Sequence, residues 1–175
     1  MDADIERERT VFVTVGTTSF DALVKAVDCI QCKEALARRG YTKLLIQLGR
    51  GTYFPAKSLG EHGGLKVDYF TFSPNIAGFL SSAALVISHA GSGSIFETLR
   101  VGRPLIVVVN EALMDNHQSE LAEELAERKV LYCAHPETLA QTIECMDIES
   151  LLPYPPSNPM AVVQSLNWFL GFSDD

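Results

Sequence analysis

The chain has 175 residues, 47% of them hydrophobic, which suits one domain with a sizeable core. Its formal net charge of −8 argues against a nucleic-acid backbone as partner. No apolar run approaches the ~20 residues that span a bilayer, and the charged start Met1–Arg9 lacks the apolar core of a signal peptide, so a cytoplasmic chain with reduced cysteines is expected.

Thr10–Val15 reads as a first strand, ending at Gly16. Phe20 to Arg39 reads as one helix, with Leu23, Ala26, Val27, Ile30 and Leu36 near helical spacing, stopped by Gly40. Lys43–Leu48 is a second strand closed by Gly49-Arg50-Gly51, and a polar loop runs on to Gly64. Leu65–Phe70 is a third strand, Pro74–Ser82 a short helix, Leu85–Ser88 a fourth strand and Ser92–Val101 the next helix. Leu105–Val109 is apolar on both faces, which predicts a central, parallel fifth strand. Asn116–Arg128 is a helix, Val130–Cys133 a short sixth strand and Pro136–Met146 another helix. Pro153, Pro155, Pro156 and Pro159 mark an extended connection over 147–159, and Met160–Leu170 forms a last helix within a terminal segment, 160–175. This alternation predicts an α/β fold, a Rossmann-like parallel sheet with helices on both faces, with the ligand domain over 10–146.

In such sheets ligands bind beyond the carboxyl ends of the strands. Five unusual loops fall there: Gly16–Ser19, Gly49–Gly51, Phe72–Pro74, His89–Ser94 and Asn110–Gln118. In the fourth, a strand runs through a glycine loop into a helix, an order that offers backbone N–H groups to an anion, with hydroxyls from Ser92 and Ser94. The other reading is a plain strand-to-helix turn. No Lys stands at the P-loop position, and a Rossmann dinucleotide pattern needs a small residue where the chain has Phe96. Glu97 lies ~8 Å along the helix axis from the loop, placed to accept from two vicinal ribose hydroxyls or simply to face solvent. Gly16, Thr17, Thr18 and Ser19 form a second candidate anion nest; alternatively Thr18 or Ser19 caps the following helix. Asp115-Asn116-His117-Gln118 offers amide and imidazole groups suited to sugar hydroxyls, or a cap followed by surface residues.

Cys29 and Cys32 form a C-x-x-C that could be redox-active, half a zinc site, or a pair of ordinary helix cysteines. The third reading is preferred: no strand feeds the pair, and no second C-x-x-C or close His pair completes a metal site. No metal site is expected.

Ser88–Ser94, then Glu97-x-x-x-x-Gly102-x-Pro104, then Asp115–Gln118 resemble the C-terminal donor-binding domain of glycosyltransferase family 28. Val13–Ser19 and Gln47-x-Gly49-Arg50-Gly51 narrow the resemblance to small cytosolic subunits of eukaryotic UDP-GlcNAc transferases acting on dolichol-linked acceptors. The resemblance runs from about Val11 to Met146 and implies one half of a GT-B architecture. It implies that Gly91–Ser94 and Gly16–Ser19 hold the diphosphate, Glu97 the ribose, and Phe72 and Ser73 the uracil. It places Asn116, His117 and Gln118 at the sugar and distal phosphate. Ala84 departs from relatives that carry Asp before this strand.

The implied reaction is inverting transfer of GlcNAc from UDP-GlcNAc to GlcNAc-diphosphodolichol, without cofactor or metal. The catalytic base is not assigned; His89 is the one histidine of the loop. Because the chain has the length of one domain and the implied acceptor is a lipid, a membrane-anchored subunit should supply the acceptor half at the cytosolic face of the endoplasmic reticulum. Val162, Val163, Leu166, Trp168, Phe169, Leu170 and Phe172 could dock that partner or fold back on the sheet. The alternatives are a nucleotide-sugar-binding paralogue without catalysis and a Rossmann redox protein.

Overall fold

The computed structural model describes residues 7–60, 64–110 and 116–154. Asp115 and the terminal helix expected over Met160–Leu170 lie outside these residues, as does the Pro-rich connection beyond Tyr154. The described residues build one sheet in the order β3-β4-β2-β1-β5-β6-β7. The strands are β1 (Thr10–Thr14), β2 (Lys43–Gln47), β3 (Ser58–Leu59), β4 (Lys66–Phe70), β5 (Leu85–His89), β6 (Leu105–Val108) and β7 (Tyr132–Ala134). All neighbours pair in parallel except β3 with β4.

The strands alternate sides, and both sides are buried. Val11, Val13 and Val15 join one core with Leu44, Ile46 and Ile87. That core is closed by α1 (Asp21–Asp28), α2 (Ile30–Arg38) and α6 (Leu139–Cys145). Phe12, Val86, Leu105 and Val107 face the opposite core, covered by α3 (Ile76–Ser82), α4 (Ser92–Arg100) and α5 (Asn116–Glu127). Two-sided burial is why these strands read as continuous apolar runs.

Four elements differ from the sequence reading. The helix expected over Phe20–Arg39 breaks at Cys29, whose backbone is extended at φ −71°, ψ 152°. The break resets the helical phase: Ile30 is 67% exposed, while Cys32, Ala35 and Leu36 enter the core. The antiparallel two-residue β3 was not anticipated, since it is too short to carry a period. Leu105–Val108 is fully buried and parallel, but it lies next to the edge strand; the centre belongs to β1. The stretch expected as a helix from Pro136 opens as a 3-10 turn, Pro136–Thr138, before α6.

Candidate functional site: a glycine-lined crevice between β1 and β5

From β1 the chain builds outward through β2 and β4, then returns to lay β5 on the other side of β1. Strand order therefore reverses between β1 and β5, where open α/β sheets leave a crevice at the carboxyl ends. Gly16–Ser19 follows β1 and Ala90–Ser94 follows β5, so both candidate nests flank it.

The second nest ends at the tip of α4. Gly91 is its N-cap, and no side chain caps the helix; the first helical bond from this turn runs from Ile95 N–H to Gly91 C=O. The N–H groups of Ser92, Gly93 and Ser94 are the ones a helix start leaves for an external acceptor. A Cβ on Gly93 would meet nothing within 4 Å, so this glycine keeps open space over the helix tip.

His89 joins the two nests. Its Nε2 lies 3.2 Å from Ser94 Oγ. A Cβ on Gly16 would lie 2.6 Å from the same Nε2, and one on Gly91 would strike the ring. These two glycines thus make room first for an imidazole, where the sequence reading expected them to admit a ligand directly. Gly16 also has φ +68°, a conformation that L side chains rarely adopt. Burial holds the His89 pKa below its ordinary value, so the ring is neutral near pH 7.

Gln47 fixes the first nest from beneath. It is 2% exposed and follows the apolar run Leu44-Leu45-Ile46 at the end of β2. Its Oε1 accepts from Thr14 Oγ1 at 2.7 Å and from Val15 N–H at 3.1 Å. Its Nε2 donates to the carbonyls of Gly16 at 2.7 Å and Thr71 at 3.0 Å. One carboxamide therefore ties together the ends of β1, β2 and β4, and Thr14 Oγ1 accepts in turn from Gly16 N–H. Arg50 N–H donates to Thr18 C=O at 3.0 Å, packing the Gly49–Gly51 loop onto the nest. Gly49, at φ +58°, must be glycine because a Cβ would strike that same carbonyl. The sequence reading left Gln47 and Arg50 out of the site. A single amide closing an apolar strand was the available signal for Gln47.

Thr17, Thr18 and Ser19 are exposed at the nest. The capping alternative fails: the N-cap of α1 is Phe20, and Thr18 Oγ1 donates to Val15 C=O at 3.0 Å. Asp21, in the first turn of α1, accepts instead from the N–H and hydroxyl of Thr52. Desolvation pushes its pKa up, but those Thr52 bonds, a Tyr53 N–H and Lys25 outweigh it and hold it below the usual value.

Glu97 is half-buried on α4, and its carboxylate makes no hydrogen bond or ion pair among the described residues. Phe72, 54% exposed, and Ser73 lie beyond β4 on the other side of β1 and β2 from the α4 tip. Ser73 Oγ accepts from Asn75 N–H at 3.1 Å. Asn116 opens α5 after the β6 loop; the side chains of Asn116, His117 and Gln118 lie outside the described part. Ala84 is half-buried just before β5, away from the nests.

A family model described as the glycosyltransferase family 28 C-terminal domain matches residues 10–164. The chain belongs to the glycosyltransferase family 28 C-terminal domain. Among its relatives, the human UDP-N-acetylglucosamine transferase subunit ALG13 is 44% identical over 126 residues, covering 71% of this chain. The Saccharomyces cerevisiae protein of the same name is 34% identical, with 88% of this chain and 92% of the yeast protein covered. The chain spans only 11% of the length of the human and mouse relatives. An NMR solution structure of ALG13 superposes with a TM-score of 0.70 at 31% identity, covering 93% of this chain and 96% of that one. The calicheamicin glycosyltransferase CalG4 superposes at 0.54 and 15% identity, covering 98% of this chain but 46% of its own. That likeness is one of fold alone.

Proposed function

We propose that this family 28 domain is the donor-binding half of an inverting N-acetylglucosaminyltransferase that moves GlcNAc from UDP-GlcNAc to GlcNAc-diphosphodolichol. The observation that carries the reading is the uncapped tip of α4, open over Gly93, with the unpaired Glu97 carboxylate farther along the same helix. The names of the human and yeast relatives support the donor and the role of subunit.

In this reading the diphosphate lies across the crevice, against the N–H groups of Ser92–Ser94 and the hydroxyls of Thr17 and Ser19. Glu97 accepts from the ribose hydroxyls, Phe72 and Ser73 border the uracil, and Asn116, His117 and Gln118 read the sugar. The acceptor hydroxyl attacks the anomeric carbon and UDP departs. The charge gathering on the diphosphate is met by the amides and dipole of α4, so no metal or other cofactor is needed. His89, neutral and engaged with Ser94, keeps the two nests at a fixed separation. The acceptor site and the base come from a membrane-anchored partner that closes the GT-B cleft at the cytosolic face of the endoplasmic reticulum, with segment 160–175 docking to it.

The test is transfer of radiolabelled GlcNAc from UDP-GlcNAc to GlcNAc-diphosphodolichol, by membranes carrying the partner subunit with and without this chain. Transfer that requires both supports the proposal. Tight UDP-GlcNAc binding with no transfer would replace it with a nucleotide-sugar-binding role, and NAD binding in its place would point to a redox protein.

A further inference from the structure

The break between α1 and α2 falls at Cys29 of the C-x-x-C. Cys29 is at once the C-cap of α1 and the N-cap of α2. Its Sγ accepts from the N–H of Cys32 at 3.4 Å. That nitrogen is three bonds from the Cys32 sulfur, so rotation about the two side chains brings sulfur to sulfur within one helical turn. Cys29 is half-buried and reachable from solvent, and it packs against the core cluster that contains Cys32. Cys32 is fully buried. Both are free thiols. An accessible sulfur at a helix N-terminus, with a shielded one a turn later, is the arrangement of dithiols that cycle with disulfides.

We propose that Cys29 and Cys32 form a reversible dithiol–disulfide couple, oxidised by a small disulfide such as oxidised glutathione. Cys29, as thiolate, attacks one glutathione sulfur; the glutathione S–S bond breaks and a first glutathione thiolate leaves. Cys32 then gives up its proton and attacks Cys29 Sγ, breaking the mixed disulfide and releasing the second glutathione thiolate. The two protons from the protein end on two reduced glutathiones, so one disulfide forms as one is reduced. Burial, reinforced by the Cys29 sulfur and opposed by Lys33, pushes the Cys32 thiol up to about 12. Buried as it is, it is shielded from outside oxidants, and the sulfur within its reach is that of Cys29. The charged groups at the pair are Lys33 and Asp28, themselves 3.4 Å apart. Cys145, the exposed cysteine, sits at the other end of α2, where its neighbour Glu144 pairs with Arg38.

The intact chain offers a direct test, because trypsin releases both sulfurs in one peptide, Ala26–Lys33. The chain is equilibrated with oxidised and reduced glutathione, alkylated and mapped by mass spectrometry. The expected result is a peptide two hydrogens lighter and unalkylated, restored by reductant. Cys32→Ala should hold glutathione on Cys29 persistently, and Cys29→Ser should leave Cys32 alkylated only after unfolding. The proposal is overturned if Ala26–Lys33 stays fully alkylable in buffers that oxidise Cys145. It is equally overturned if Cys32→Ala carries no more mixed disulfide than the parent.

Discussion

Replacing Gln47 with Met keeps the length and volume of the side chain and removes all four hydrogen bonds that bind the strand ends together. The Gly16 and Thr71 carbonyls lie where water can replace the lost donor. The Val15 N–H and Thr14 O–H donors do not: their residues are 0% and 2% exposed, although Thr14 Oγ1 still accepts from Gly16 N–H. An orphaned buried polar group costs about 1–3 kcal/mol, so two of them make roughly 3 kcal/mol a central figure. For a chain of this size that is a fall in Tm on the order of 10 °C. Released from beneath, the Gly16 nest should also bind UDP several-fold more weakly, even where the protein remains folded. Differential scanning fluorimetry and calorimetric titration with UDP measure the two effects separately. A Tm within about 2 °C of the parent would refute the reasoning, since it would mean the carboxamide carries none of the nest.

Glu97→Ala should weaken UDP binding by 10- to 100-fold, about the loss of one or two charge-assisted hydrogen bonds, with Tm unchanged because the carboxylate bonds to nothing in the described fold. Gly93→Ala should leave Tm unchanged or slightly raised, the position being helical with open space around it, while UDP affinity falls; unchanged affinity would remove the ligand from the α4 tip. His89 has a folded pKa below its ordinary 6.5, so the unfolded chain takes up that proton first as pH falls. The stability tied to its neutral form is complete above the unfolded pKa and is lost as pH drops through the folded one. Tm of the parent should therefore fall more steeply below pH ~6.5 than that of His89→Gln, and parallel profiles would show that the ring is not the titrating group.

The sheet was legible because its inner parallel strands are buried on both sides and so announce themselves as apolar runs, Val11–Val15 or Leu105–Val108. The long first helix misled for a physical reason. Leu23, Val27 and Ile30 keep a helical spacing that one continuous helix would satisfy, yet Ile30 is exposed and the out-of-phase Leu36 is buried, because the chain restarts its helix at Cys29. Such a break leaves composition intact, and the phase shift at Leu36 was its one trace in the sequence. The start of α4 after a glycine loop was readable from glycines and hydroxyls at fixed offsets. The tasks of Gly16 and Gly91 were not, since the atom they accommodate belongs to His89, and only packing brings it there. Gln47 showed in the sequence only as an amide after an apolar run, and its task did not, because three of its four partners are backbone atoms, which carry no sequence signature.

The rims of the sheet have a consequence of their own. One edge is the two-residue β3 and the other the three-residue β7, so neither presents a long row of unpaired amides to a second chain. Beyond β3, the exposed side of β4 is overlaid by its own neighbours. Lys57 pairs with Asp68 at 3.4 Å and lies over the Tyr69 ring at 4.8 Å, and Phe54 rests against the same ring. A charged side chain on an edge resists strand addition, because extending the sheet would bury its ammonium. The fold thus guards its hydrogen-bonding borders against self-association while leaving the crevice at the strand ends open.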